Sequence, residues 1–220
     1  MEPFGQKMES SGAQTAPPRL ILVGGGVKSG KSAFALRLAA DLAACGGGPT
    51  APKVFIATGY AGDDEMARRI ARHRQERGEA FTTLELPPKQ PRTLPEILAG
   101  LDQTLPGNAK PTVAVVDCLT LWLSALLLEG ESADAIALHV ERLAAAAERR
   151  RGATVVVTNE VGMGVVPESP LGREFRDVAG AAHQMLAARA DRVYFAAMGL
   201  MVCLKPEVTL AGPLFPSSGA

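Results

Sequence analysis

Eight consecutive residues, Gly25, Gly26, Val27, Lys28, Ser29, Gly30, Lys31 and Ser32, have the composition and spacing of an anion cradle. Glycines let a backbone turn so that its N–H groups converge, and a following helix adds the partial positive charge of its N-terminus. The pattern G-x-x-x-x-G-K-[ST] places an ammonium, Lys31, within reach of the β- and γ-phosphates of a nucleoside triphosphate. It also offers a hydroxyl, Ser32, to Mg²⁺. Asp117 closes the apolar run Thr112-Val-Ala-Val-Val, and a carboxylate at such a strand end faces Mg²⁺ across the cradle, often through water. Three histidines, His73, His139 and His183, complete the candidate chemistry. Imidazole is largely neutral and nucleophilic near pH 7. His73 shares a helical spacing of four with Arg69 and Arg77, whose guanidiniums suit phosphate oxygens. His139 and His183 fall in helical patterns among apolar residues and arginine, where satisfied structural histidines are expected.

These groups need elements to hold them. Arg19-Leu-Ile-Leu-Val-Gly24 is a short apolar run of the kind that forms a fully buried parallel strand, and Lys31–Ala44 follows with helical spacing. Gly46-Gly47-Gly48-Pro49 is a stop signal. Val54–Thr58, Thr112–Asp117 and Ala153–Thr158 read as further buried strands, with Phe81–Leu86 as a shorter one. Helices are expected over about 63–77, 94–101, 119–129, 132–151 and 171–189, the first opening on Asp63-Asp64-Glu65 and ending among arginines, as the helix dipole favours. Pro87–Pro95 reads as a loop. Arg192–Ala196 and Leu200–Leu204 read as closing strands, paired across Met198-Gly199. The run Arg149-Arg150-Arg151 is expected to cap a helix C-terminus. Strands alternating with helices imply a mainly parallel sheet with right-handed crossovers. Residues 1–18 read as a disordered N-terminal tail, dispensable for fold and catalysis. Residues 19–220 read as a single nucleotide-binding catalytic domain.

Composition narrows the function classes. The 220 residues include 23 basic and 23 acidic side chains and only 5% aromatics. That balance gives no general attraction to nucleic acid or membranes, and the few aromatics argue against a stacking platform for single strands. No apolar run approaches the ~18 residues of a bilayer span. Three cysteines without C-x-x-C spacing suggest free thiols in a reducing cytoplasm, and residues 1–18 lack the apolar core of a secretory signal.

Longer strings go beyond a general P-loop. Phe55-Ile-Ala-Thr58, Asp63-Asp-Glu-Met-Ala-Arg-Arg-Ile-Ala-Arg-His-Arg74, Thr158-Asn-Glu-Val-Gly-Met-Gly-Val-Val-Pro-Glu168 and Phe175-Arg-Asp-Val-Ala-Gly180 closely resemble the bifunctional adenosylcobinamide kinase/adenosylcobinamide-phosphate guanylyltransferase family of cobalamin biosynthesis. The resemblance spans about Arg19–Lys205. It implies a RecA-like P-loop NTPase fold assembled as a homotrimer in the cytoplasm. It also implies phosphorylation of adenosylcobinamide by ATP or GTP, then GMP transfer from GTP to adenosylcobinamide phosphate through a covalent histidine adduct. Where family members carry two successive histidines, this chain has Arg72-His73, and aligning on Met66 and Ile70 puts the nucleophile at His73. By the same resemblance Ala57, Thr58 and Gly59 are a nucleotide contact. Arg74, Gln75, Glu76 and Arg77 match a guanine-nucleotide stretch, and Glu85 a carboxylate of the nucleotide site. Asp117 stands where relatives can carry Glu. The Asn159–Pro170 loop, after a strand C-terminus, is either a wall of the corrinoid or nucleotide cleft or a trimer contact.

Overall fold

The computed structural model describes residues 17–47, 51–59, 80–87, 89–102, 110–207 and 209–213. The apolar runs become strands β1 (Leu20–Gly25), β2 (Lys53–Ala57), β4 (Val113–Asp117) and β5 (Thr154–Val157). The remaining strands are β3 (Thr82–Glu85), β6 (Arg192–Ala197), β7 (Leu200–Lys205) and β8 (Thr209–Pro213). Helices are α1 (Lys31–Gly47), α2 (Leu94–Gly100), α3 (Leu119–Leu128), α4 (Ala133–Arg149) and α5 (Pro170–Arg189). The expected helix over 63–77 lies outside the described residues, as does nearly all of the expected tail.

Among the described residues the strands form one sheet in the order β3-β2-β4-β5-β1-β6-β7-β8. From β3 to β6 every pairing is parallel, while β6–β7 and β7–β8 are antiparallel. Strand side chains alternate between faces, so one apolar run feeds two cores. Leu20, Leu22, Ile56, Val116 and Val156 join a cluster with Leu98, Trp122, Leu123, Val140, Leu143, Val178 and Leu186. Ile21, Val23, Phe55, Val115 and Val157 pack on the other face, with Ala35, Ala39 and Ala43 of α1. Thus α1 covers one face and α2 to α5 the other, giving the three-layer α/β architecture of a P-loop NTPase.

Local chemistry sets the helix starts. The Ser132 hydroxyl accepts from Ala135 N–H at the head of α4, and the Ser169 hydroxyl accepts from Gly172 N–H at the head of α5, with Pro170 in the first turn. Trp122 is fully buried and donates its indole N–H to Pro91 O at 2.6 Å. That bond ties α3 to a 3₁₀ turn over Pro91–Thr93, inside the stretch read as a loop. Three other readings need correction. α1 continues past Ala44 to Gly47, so the glycines end it later than expected. β8 was not anticipated. Of the arginine run, Arg149 lies in the last turn of α4 as the dipole argument requires, but the Arg150 side chain is only 2% exposed. Its guanidinium donates to Thr112 O at 2.6 Å, Thr154 Oγ1 at 2.9 Å and Asp102 Oδ1 at 3.3 Å, locking the start of β5 to the segment before β4.

Candidate active site

The phosphate cradle links the end of β1 to the start of α1. Gly25 has φ 144° and is in parallel register with Ala196 of β6. A Cβ there would lie 2.5 Å from Ala196 O, so the position admits only glycine. Gly30, at φ 87°, turns the chain into α1, whose first bond runs from Phe34 N–H to Gly30 O at 3.0 Å. Between them Gly26, Val27 and Lys28 are exposed, leaving the loop open to a ligand. Lys31 is only 6% exposed, and its Nζ donates to Gly26 O at 2.6 Å and reaches Ser29 Oγ at 3.4 Å. A buried ammonium held on the loop it must serve is already placed to meet incoming phosphate charge.

Further along the same edge, the ends of β4 and β2, two and three strands from β1, build a wall of the site. Asp117 ends β4, level with Ala57 of β2 and Val157 of β5. Thr58 is buried and clasps the next residue twice: its hydroxyl donates to Cys118 O and accepts from Cys118 N–H, both at 2.7 Å. Thr58 N–H also donates to Asp117 O at 3.2 Å. The Asp117–Cys118 peptide is cis. A Cβ on Gly59 would lie 2.9 Å from Leu121 Cδ1, so the backbone approaches α3 closely there. Burial pushes the Cys118 thiol up, and the Asp117 carboxylate pushes it further, while Lys31 pulls it down. The cation of the cradle and the carboxylate of β4 therefore both act on one buried atom, Cys118 Sγ. Thr120 Oγ1 lies 3.2 Å from that sulfur and accepts from Asn159 Nδ2 at 3.2 Å.

The segment after β5 is wired to β1. Thr158 N–H donates to Val23 O at 2.9 Å, and Glu160 N–H to Gly25 O at 3.0 Å. His183, from α5, approaches this exit: its Nε2 lies 2.7 Å from Thr158 Oγ1 and its Nδ1 3.5 Å from Glu160 Oε2. Glu160 Oε1 accepts from Gly162 N–H at 2.6 Å. Burial holds His183 below its ordinary value, with Glu160 pulling the other way. The expectation of a satisfied histidine fits His183. It does not fit His139, whose buried Nδ1 has no hydrogen-bond partner among the described residues.

Of the expected site residues, the structure gathers Gly25 to Ser32, Asp117 and the Ala57–Gly59 turn along the C-terminal edge of the parallel sheet, where open α/β sheets bind ligands. Glu85 is exposed at the end of β3, with β2, β4 and β5 between it and the cradle strand, about 19 Å by strand spacing. His73, Arg74, Gln75, Glu76 and Arg77 lie outside the described residues. Cys118, Thr120 and the Thr158–His183–Glu160 cluster were not singled out from sequence. Only the glycines and length of the Asn159–Pro170 string marked that region. An apolar groove of about 470 Å³ between α4 and α5, lined by Ile136, Val140, Val178 and Met185, offers only Glu174 and Asp177 as charged groups and does not suit phosphate.

No group of three or more His, Cys, Asp or Glu side chains among the described residues could hold a metal by itself. The Ser32 hydroxyl and the Asp117 carboxylate are hard oxygen donors. They suit Mg²⁺, which binds through few protein ligands and takes the rest from water and phosphate.

Comparison with known proteins agrees with this geometry. The family model described as cobinamide kinase / cobinamide phosphate guanyltransferase matches residues 21–204. The chain is 37% identical over 199 residues to the bifunctional adenosylcobalamin biosynthesis protein CobU of Escherichia coli (strain K12), covering 84% of this chain and 99% of that one. It is 41% identical over 187 residues to the bifunctional adenosylcobalamin biosynthesis protein CobP of Pseudomonas aeruginosa, covering 84% and 97%. It is 38% identical over 200 residues to the CobU protein of Salmonella typhimurium, covering 84% and 99%. A P-loop at the C-terminal edge of a parallel sheet, a strand-end carboxylate two strands along that edge and a match spanning almost all described residues lead to one assignment: the chain belongs to the cobinamide kinase / cobinamide phosphate guanyltransferase family.

Proposed function

We propose that this chain carries out both reactions of its family on one phosphate cradle. In the first, the hydroxyl on the aminopropanol arm of adenosylcobinamide attacks the γ-phosphorus of ATP or GTP. The bond to the β-phosphate oxygen breaks, releasing the nucleoside diphosphate. In the second, GTP donates GMP to adenosylcobinamide phosphate, giving adenosylcobinamide-GDP and pyrophosphate. The observation that carries the reading is the open Gly25–Ser32 loop with buried Lys31 beneath it and Asp117 two strands away.

Phosphoryl transfer needs positioning and charge stabilisation more than covalent help. The cradle N–H groups orient the phosphates. Lys31 turns from Gly26 O toward the β- and γ-oxygens and offsets the charge that grows on the leaving group. Mg²⁺ bound through Ser32 and Asp117 supplies further neutralisation of phosphate charge. Ala57, Thr58 and Gly59 form a turn against α3 that contacts the nucleotide away from its phosphates. Glu85 belongs to that outer end of the nucleotide site.

For GMP transfer, His73 is the nucleophile. Its neutral imidazole attacks the α-phosphorus of GTP and expels pyrophosphate, and the phosphate of adenosylcobinamide phosphate then attacks the same phosphorus and releases the imidazole. Arg74 to Arg77 hold the guanine nucleotide. The enzyme works as a homotrimer in the cytoplasm, and residues 19–220 form its catalytic domain.

Intact-protein mass after incubation with GTP and Mg²⁺ tests this reading, with a covalent GMP adduct expected. His73→Ala should lose labelling by α-³²P-GTP and guanylyl transfer but keep a measurable kinase rate. Label mapped to His139, His183 or a lysine, or undiminished labelling of His73→Ala, refutes the assignment.

A further inference from the structure

Three adjacent strands, β5, β1 and β6, end side by side, and each is followed by exposed apolar side chains. The segment after β5 presents Met163, Val165 and Val166 at 80%, 94% and 57% exposure. The cradle after β1 presents Val27, and the turn after β6 presents Met198, fully exposed. Both flanks are tied to the first cradle residue. Glu160 N–H donates to Gly25 O on one side, and Ala196 packs against Gly25 on the other. Apolar side chains exposed together beside a site usually mark binding, because water gains when they are covered.

The Met163–Val166 side is held in place by side chains. A carboxylate only accepts hydrogen bonds, so in the neutral ring a proton on His183 Nδ1 faces Glu160 and leaves Nε2 to accept from the Thr158 hydroxyl. Glu160 in turn accepts from Gly162 N–H. This chain of contacts fixes the loop just before its exposed residues.

We propose that Met163, Val165, Val166 and Met198 form a docking rim for the acceptor substrate, and that Glu160 and His183 are positioning residues for it. The inference rests on the function proposed above. In-line transfer puts the attacking oxygen about 3–3.5 Å from the terminal phosphorus, so the acceptor body must lie on the borders of the cradle. A cobinamide is a broad ring with methyl-bearing faces and a fringe of amides. Apolar side chains on two flanks cover such faces, while the exposed loop main chain meets the amides.

The test compares the wild type with Val165→Ser/Met198→Ser and with Glu160→Gln. Kinase turnover is measured against adenosylcobinamide and against 1-amino-2-propanol, which has the hydroxyl without the ring. For the double variant the KM for adenosylcobinamide should rise about tenfold or more, with kcat within threefold. Nucleotide Kd and any rate with the ring-free acceptor should stay within twofold. Glu160→Gln should raise the same KM and spare nucleotide binding. Unchanged KM values in variants of an active wild type overturn the inference alone. So does a KM that moves only together with nucleotide Kd. A smaller solution mass with unchanged KM would assign the rim to contacts between copies, also against the inference. A wild type that does not phosphorylate adenosylcobinamide refutes the functional reading and this inference with it.

Discussion

Replacing Arg150 by methionine should destabilise the protein by about 3 kcal/mol without touching nucleotide binding. The guanidinium is 2% exposed and serves Thr112 O, Thr154 Oγ1 and Asp102. Methionine matches its stem but leaves those acceptors unmet. Thr112 and Thr154 are themselves buried, so each lost bond costs about 1 kcal/mol. The Asp102 carboxylate keeps 17% exposure and a 2.6 Å bond from Arg151 N–H, so its loss is partial, about another 1–2 kcal/mol. One saving opposes these costs: Arg150 Nε is buried without a partner among the described residues, and methionine removes it. The sum sits at the low end of the 3–5 kcal/mol typical of breaking a buried ion pair. For a chain of this size that shifts the thermal midpoint down by about 6–12 °C. Calorimetry and urea titration with an unchanged m-value would measure it. These contacts lie at the N-terminal edge of the sheet, opposite the cradle, so GTP affinity of the folded protein should be unaltered. A midpoint within about 2 °C of wild type, or lost GTP binding in a folded variant, would refute the reasoning.

Further outcomes follow from other contacts. Lys31→Ala should depress phosphorylation and guanylylation together, by ~10²-fold or more; near-normal rates of either would reveal a second phosphate site. Thr58→Val should cost about 2–3 kcal/mol, because it strips both bonds from buried Cys118, and an unchanged urea midpoint would contradict this. Iodoacetamide at pH 8 should modify exposed Cys45 first and spare Cys118, whose thiol is pushed up by burial; peptide mapping that found Cys118 labelled in the folded state would count against its burial. His183, held below its ordinary value, favours the neutral ring in the fold, so its contribution is present above about pH 6.5 and lost as pH falls through the folded value. His183→Gln should flatten the decline of stability below about pH 6.5, and an equally steep decline would exclude His183 as its source.

The central strands and the cradle were legible because their signals are local. A strand buried on both faces must be apolar throughout, as Leu20–Val23 and Val113–Val116 are, and a phosphate loop needs its glycines at set positions. The β6–β7 turn was legible at Met198-Gly199, where both residues adopt positive φ. What escaped depends on distant partners. Arg150 reads like its neighbours, and only the carbonyl of Thr112 and the carboxylate of Asp102 turn it inward. Cys118 carries no motif, since its role comes from a threonine just past the end of another strand. His183 reads as one more helical residue until α5 brings it to Thr158. Among the described residues β8 pairs with β7 alone, and it carries Gly212 and Pro213, which weaken any strand signal.

The place of β1 has a kinetic consequence. Among the described strands it comes first in the chain, yet it lies between β5 and β6, and Leu20 N–H bonds Asp191 across 171 residues. Until β5 has been synthesised β1 has neither neighbour, and until β6 follows it is paired on one side alone. Closing so long a loop carries an entropic cost that no local contact offsets. We expect assembly to start among β2, β4 and β5, with β1 inserted late. The phosphate cradle hangs from that late strand. Triphosphate binding consequently appears only at the end of folding, and a nascent chain stopped before Arg192 should hold much of the sheet yet retain no nucleotide.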